Sequence, residues 1–297
     1  MTRATRDTLP GRRYLDLQRR AKRSGRPTDE LIQLYALECF LDRLARSKYA
    51  ENFVLKGGVL LAALEARRPT RDIDLATRVL ENSAARALAV VREIARISVD
   101  DGLAFDADHA TAEVIREEDN YSGLRVTLGG SLSRANVRLH VDINVGDPIW
   151  PEPQEVRLPR LLEGALVIRG YPLEMVLAEK IVTALARGTA NTRWRDFVDM
   201  YVLVRRHAVN APTLRESIQR VARYRGINIA PLGPTLSGYA EVAQSRWVAW
   251  LRKQRLDAVV PTEFSSVLGV VITFADAVIL GADAARASWD PVRGTWR

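Results

Sequence analysis

FVLKGGVLL (53–61), followed by RPTRDIDL (68–75), carries the densest chemical information in the chain. Phe53-Val54-Leu55 is a short apolar run of β type, and Gly57-Gly58 ends it. Val59–Leu64 reads as helical, Pro69 breaks it, and Ile73–Thr77 reads as a second strand. A glycine pair between strand and helix lets backbone N–H groups approach an anion without interference from a Cβ. Asp72 and Asp74, two apart on a strand, project from the same face. Close carboxylates repel unless a cation sits between them, and oxygen donors suit Mg²⁺. A phosphate cradle beside a paired-aspartate cation site is what transfer from a nucleoside triphosphate requires.

Outward from this stretch, residues 137–145 alternate cleanly. Val137, Leu139, Val141, Ile143 and Val145 point one way, and Arg138, His140, Asp142 and Asn144 the other. Asp142 is thereby a candidate third carboxylate of the cation site. Leu31, Leu34, Leu37, Leu41 and Leu44 recur at helical spacing, which predicts a helix over 29–47 capped by Thr28. Ser83 is placed to cap a helix running to about Ala95. The proline-rich segment 146–160 reads as a connector. Beyond it come helical candidates at 173–186, 193–207, 213–225, 239–253 and 263–280. The expected fold is α+β, with residues 1–165 as a helical lead-in plus a mixed sheet with flanking helices, and 166–297 as an all-helical half.

The chain has 297 residues, 47% of them hydrophobic and 27% charged, which excludes intrinsic disorder for most of its length. A lone Cys39 excludes a disulfide scaffold, and three His with one Cys make a Cys/His zinc site implausible. The most apolar run, Val267–Leu280, is interrupted by Asp276 and is too short to span a bilayer. Met1–Pro10 lacks the apolar core of a secretory signal, so a cytoplasmic location is expected. The net charge is +8, of which +7 lies in residues 1–26, where Arg3, Arg6, Arg12, Arg13, Arg19, Arg20, Lys22, Arg23 and Arg26 make a basic arm. Such an arm is attracted to polyphosphate, and equally serves as a solubilising end.

With these residues in place, the sequence resembles the AbiEii-type nucleotidyltransferase toxins, including the MenT group, within the polymerase-β-like nucleotidyltransferase superfamily. The matching text is FVLKGGVLL, RPTRDIDL, LHVDINVGD (139–147), LAEKIVTALAR (177–187) and RWRDFVDMY (193–201), and PTDELIQLYALECFLDRLARS (27–47) has the same look. The resemblance implies a nucleotidyltransferase-like sheet completed by the helical half. It makes Gly57 and Gly58 the nucleotide-binding turn, with Lys56 just ahead, and Asp72 and Asp74 the metal pair. Asp142 corresponds to the third strand carboxylate. It also implies that Lys180 contacts the triphosphate, that Asp196 orients Lys180 or the nucleotide, and that Arg193 is a phosphate ligand. Thr70 and Arg71, leading into the acids, join the nucleotide-binding candidates. Many members of the wider superfamily have Gly-Ser at the turn. Gly57-Gly58 leaves phosphate contact to backbone N–H groups, helped by Lys56.

The function so implied is a Mg²⁺-dependent toxin, with Mn²⁺ as the alternative cation, that moves NMP from an NTP onto RNA. The 3′ end of tRNA is the expected acceptor, and its blockage would stop translation. A cognate antitoxin and a monomeric state are expected, with no membrane partner. The alternatives are a small-molecule transferase of aminoglycoside type and a non-catalytic RNA-binding module.

Overall fold

A 19-residue helix over Thr28–Arg46 is covered along almost its whole length, with Leu31, Leu37, Phe40, Leu41 and Leu44 essentially inaccessible. The computed structural model describes residues 4–80, 82–117, 121–281 and 287–297, so Arg3 of the basic segment lies outside the described residues. The chain divides into two compact units, residues 1–147 with 153–171 and residues 148–152 with 172–297.

The first unit begins with α1 (Leu9–Ser24) and α2 (Thr28–Arg46). The basic segment is therefore not a free arm. Thr8 caps α1 by accepting from Gly11 N at 3.2 Å, and Tyr14, Leu17 and Ala21 are buried along one side of it. The cations stand on the remaining face, where Arg12, Arg19, Arg20, Lys22 and Arg23 are exposed. Thr28 does not cap α2, because Pro27 holds the cap position and no side chain bonds there.

Next come β1 (Val54–Lys56), α3 (Gly57–Leu60), β2 (Asp72–Thr77) and α4 (Ala84–Ala95), the last capped by Ser83 accepting from Arg86 N at 3.4 Å. The helix expected over 59–64 is a single α-helical turn followed by looser turns. Three long strands follow, β3 (Ala104–Glu117), β4 (Tyr121–Leu132) and β5 (Ala135–Val145), and then β6 (Gln154–Pro159) and β7 (Ala165–Gly170). They form a seven-stranded mixed sheet in the order β3-β4-β5-β2-β1-β7-β6.

β6 corrects the reading of 146–160 as a connector. Val156 and Leu158 are buried between exposed Glu155 and Arg157, the alternation of a half-buried strand. Pro159 ends it, and the strand lies at the sheet edge, where an absent N–H is tolerated. β7 pairs with both β6 and β1, so a domain boundary at 165/166 would sever it from its sheet. The unit runs on to Tyr171.

The second unit carries α5 (Leu173–Arg187), α6 (Trp194–Val204), α7 (Ala211–Arg225), α8 (Leu232–Thr235), α9 (Tyr239–Gln254) and α10 (Phe264–Leu280). It is not all helix, because β8 (Trp289–Asp290) and β9 (Thr295–Trp296) form a small hairpin packed on Phe274. The apolar run at 267–280 is a core helix of this unit. Among the described residues, no helix is long and apolar enough to cross a membrane. The architecture is thus α+β, a mixed sheet with flanking helices followed by a helical unit.

One buried ion pair ties α2 to the segment before β3. Arg43 Nη1 pairs with Asp101 Oδ2 and also donates to Cys39 O, Nη2 donates to Leu103 O at 3.2 Å, and the guanidinium lies over the Phe105 ring. Removing one member strands a buried charge, whereas removing both does not. Arg43→Met is therefore expected to destabilise the protein by about 3–5 kcal/mol in urea denaturation. The double variant Arg43→Met/Asp101→Leu should fall closer to wild type than the single one.

Candidate nucleotide site

Sheet register places the acids before any side-chain detail is needed. Lys56 on β1 is opposite Asp74 on β2, Asp74 is opposite Asp142 on β5, Asp142 is opposite Arg125 on β4, and Arg125 is opposite Glu113 on β3. Paired residues on adjacent strands share a face. The sheet thus carries one lateral row reading Glu113, Arg125, Asp142, Asp74, Lys56, with two like charges at its centre. Asp72 lies two residues before Asp74 on the same face, in register with His140.

The glycine turn closes on this row. Gly57 adopts φ +65°, a conformation that disfavours side chains, and a Cβ there would collide with the carboxylate of Asp74. A Cβ on Gly58 would meet Thr70 Oγ1 at 2.9 Å and Arg68 Nη1 at 3.2 Å. The turn, the acids and the Arg68–Thr70 approach are therefore one site. Asp72 and Asp74 keep partial solvent exposure. Arg71 is exposed beside them, with its carbonyl accepting from Gln33 Nε2 at 3.4 Å. Thr70 Oγ1 donates to Asp72 O at 3.4 Å, which ties the approach to the first acid.

The electrostatics follow from the row. Desolvation and the charge of Asp142, with a smaller contribution from Asp72, push the Asp74 carboxyl from its ordinary 3.8 up to about 6, against the pull of Lys56 and Arg68. Arg125 clamps Asp142 on both oxygens, Nε to Oδ1 at 2.8 Å and Nη2 to Oδ2 at 2.7 Å. That bidentate pair raises the Arg125 pKa. Asp142, expected as a third metal ligand, is held at both oxygens by this guanidinium, which leaves each oxygen a further lone pair. Among the described residues no group of three or more His, Cys, Asp or Glu is disposed to hold a metal. The Lys56 ammonium is buried, donates to Asp147 Oδ2 at 2.9 Å and lies over the Tyr171 ring.

The other sequence-derived candidates meet within the helical unit. Lys180 Nζ on α5 donates to Asp196 Oδ1 and Asp199 Oδ2 on α6, each at 2.8 Å, and Arg193 Nε donates to Asp196 Oδ2 at 3.1 Å. All but Arg193 are largely buried, so Lys180 is held by two carboxylates in a fixed position.

A family profile described as "Nucleotidyl transferase AbiEii toxin, Type IV TA system" matches residues 39–268. The chain belongs to the AbiEii nucleotidyltransferase toxin family. Its fold is similar to a crystal structure from H. pylori described as a candidate nucleotidyltransferase, at a TM-score of 0.50 and 16% identity over 86% of this chain and 97% of that one. JHP933 from Helicobacter pylori aligns at a TM-score of 0.47 and 16% identity, over 82% of this chain and 90% of that one. No curated protein sequence matches.

AbiEii-type transfer calls for a divalent cation, and two features of this chain fit one. The carboxylates of Asp72 and Asp74 share a strand face, and burial together with the charges of Asp142 and Asp72 raises the Asp74 pKa. The Gly57 cradle directly beside Asp74 would be filled by any Cβ. Three contributors escape the motif reading, namely Arg125, Asp147 and Arg68. Arg68 and Asp147 lie inside the matching text, but their partners are set by folding. Arg125 becomes visible only once β4 is in register with β5.

Because Asp74 titrates higher in the fold than in the unfolded chain, its ionisation opposes folding above pH about 6 and has no effect below about 4. Asp74→Asn should accordingly stabilise the metal-free protein at pH 7.5 by on the order of 2 kcal/mol. Urea denaturation in chelator should show that advantage shrinking as the pH falls from 6 to 4.

Proposed function

We propose that this AbiEii-family toxin transfers NMP from an NTP to the 3′ end of an RNA, with tRNA as the acceptor, in a Mg²⁺-dependent reaction that Mn²⁺ also supports. It would act in the cytoplasm against translation and be held in check by a cognate antitoxin. The observation that carries the reading is the direct apposition of the Gly57 turn to the Asp74 carboxylate, in a sheet row that also contains Asp142.

The chemistry follows from the residues present. The acceptor hydroxyl attacks the α-phosphorus and gives its proton to solvent, the new P–O bond forms, the bond to the β-phosphate oxygen breaks, and pyrophosphate leaves. Backbone N–H groups at Gly57-Gly58 would receive phosphate oxygens, with Arg68 beside Gly58 supplying positive charge. Asp72 and Asp74 would hold the divalent cation, which when bound neutralises phosphate oxygens as they gain charge. Lys56 favours the ionised form of Asp74, keeping it competent as a ligand. Arg125 fixes the orientation of Asp142. In the helical unit, Asp196 and Asp199 hold Lys180, whose proposed partner is the triphosphate, with Arg193 as a further phosphate ligand. Exposed cations on α1 would attract the RNA backbone.

The test is incubation of purified protein with tRNA, Mg²⁺ and each labelled NTP in turn. Wild type should incorporate label at the 3′ end, chelator should abolish incorporation, and Asp72→Ala should lower the rate at least about 10³-fold. Labelling of an aminoglycoside but not of RNA would redirect the acceptor assignment. Undiminished labelling by Asp72→Ala would overturn the site.

Equal growth arrest on induced expression of wild type and Asp72→Ala would contradict a catalytic origin of toxicity. The expected outcome is arrest by wild type alone.

A further inference from the structure

The helical unit presents a feature that nucleotidyl transfer itself does not use. Trp194, the first residue of α6, and Trp250 on α9 are both partly exposed and meet edge to face, with ring centroids 6.0 Å apart and planes at 65°. Exposed indoles are ordinarily mobile, but these two are held from behind. Trp194 Nε1 donates to Tyr239 Oη at 3.0 Å, and that buried hydroxyl in turn bonds to Asn191 O. Trp250 stacks on Trp247, which stacks on Phe264 at 4.6 Å, both of them fully buried. A rigid aromatic surface loses little conformational entropy when a flat ligand stacks on it.

Cations lie beside the pair on α9. On α9, Arg246 and Lys253 lie four residues before and three after Trp250, positions on the same side of a helix, and both are exposed. Arg246 is close enough to Tyr239 to depress the pKa of that hydroxyl against the dominant effect of burial. Aromatic faces interleaved with Lys and Arg are how proteins hold single-stranded nucleic acid, with bases on the rings and phosphates on the cations. A strand fits better than a mononucleotide, because the two partly exposed indoles are accompanied by two separate exposed cations, Arg246 and Lys253.

We propose that the Trp194–Trp250 face is a stacking platform for an unpaired base of the acceptor RNA, with Arg246 and Lys253 on the adjoining phosphates. This deepens the proposed transfer and rests on its acceptor being RNA. It concerns strand binding rather than chemistry.

The experiment measures the affinity of the full chain for a short fluorescein-labelled single-stranded oligouridylate by anisotropy, without NTP or divalent cation and across a salt series. Trp250→Ala should weaken binding roughly 5- to 100-fold, as expected for one lost base stack, and leave the salt dependence unchanged. Trp250→Phe should retain most of the affinity. Arg246→Ala should make the salt slope shallower by roughly 0.7. Trp250→Leu keeps apolar contact with Trp247 and provides the same comparison if the alanine variant unfolds. Equal affinity of wild type and Trp250→Leu for the oligouridylate would overturn the platform. So would an equal loss of affinity for duplex RNA, which offers no free base, or a loss confined to ATP binding. Because no transfer is measured, a chain that binds RNA through these tryptophans but transfers nothing would sink the proposed reaction and leave the platform standing. A chain whose Trp250→Leu variant binds and labels RNA like wild type would do the reverse.

Discussion

Two parallel strands bring the carboxylates of Asp74 and Asp142 into register, and the rest of the first unit accommodates that repulsion. Arg125 answers it on one flank with a two-point clamp, and Lys56 answers it on the other from beneath the Gly57 turn. Lys56 is itself buried and needs a counter-charge, which Asp147 supplies from the end of β5. Burying paired charges is rarely a net gain in stability. Their concentration along one row of the sheet is what the proposed transfer chemistry would ask of it. Burial first, and then the charge of Asp142, raise the Asp74 pKa.

The glycine turn has the same logic in backbone form. A φ of +65° at Gly57 and the collision awaiting any Cβ mean that this position admits no other residue without moving Asp74. One substitution would thus disturb the glycine turn and Asp74 together, which is why the two motifs form one site despite the residues between them.

What was legible in the sequence had a period. Asp72 and Asp74 share a strand face because they are two apart, and residues 137–145 announced their strand by alternation. The leucines of α2 gave its extent to within a residue or two. What was hidden depended on partners distant in the chain. Arg125 and Asp142 meet across a hairpin, and Lys56 and Asp147 are joined by a crossover of the sheet. Local chemistry also misled. Prolines around 146–160 masked β6, which tolerates Pro159 because it lies at an edge. The density of cations in residues 6–26 concealed the apolar stripe of Tyr14, Leu17 and Ala21, which packs α1 as an ordered helix. The place of Lys56 before the glycines gave no sign of the Asp147 and Tyr171 that its side chain meets.

The most direct test of the central claim, that the Gly57 turn and the Asp72–Asp74 pair form one cation–triphosphate site, is Mn²⁺ binding followed by electron paramagnetic resonance with and without NTP. Wild type should immobilise Mn²⁺ and do so more tightly with NTP present. Asp72→Asn/Asp74→Asn should lose both signals, and Gly57→Ala, whose Cβ collides with the Asp74 carboxylate, should weaken both. Unchanged Mn²⁺–NTP binding in the double variant would contradict the account.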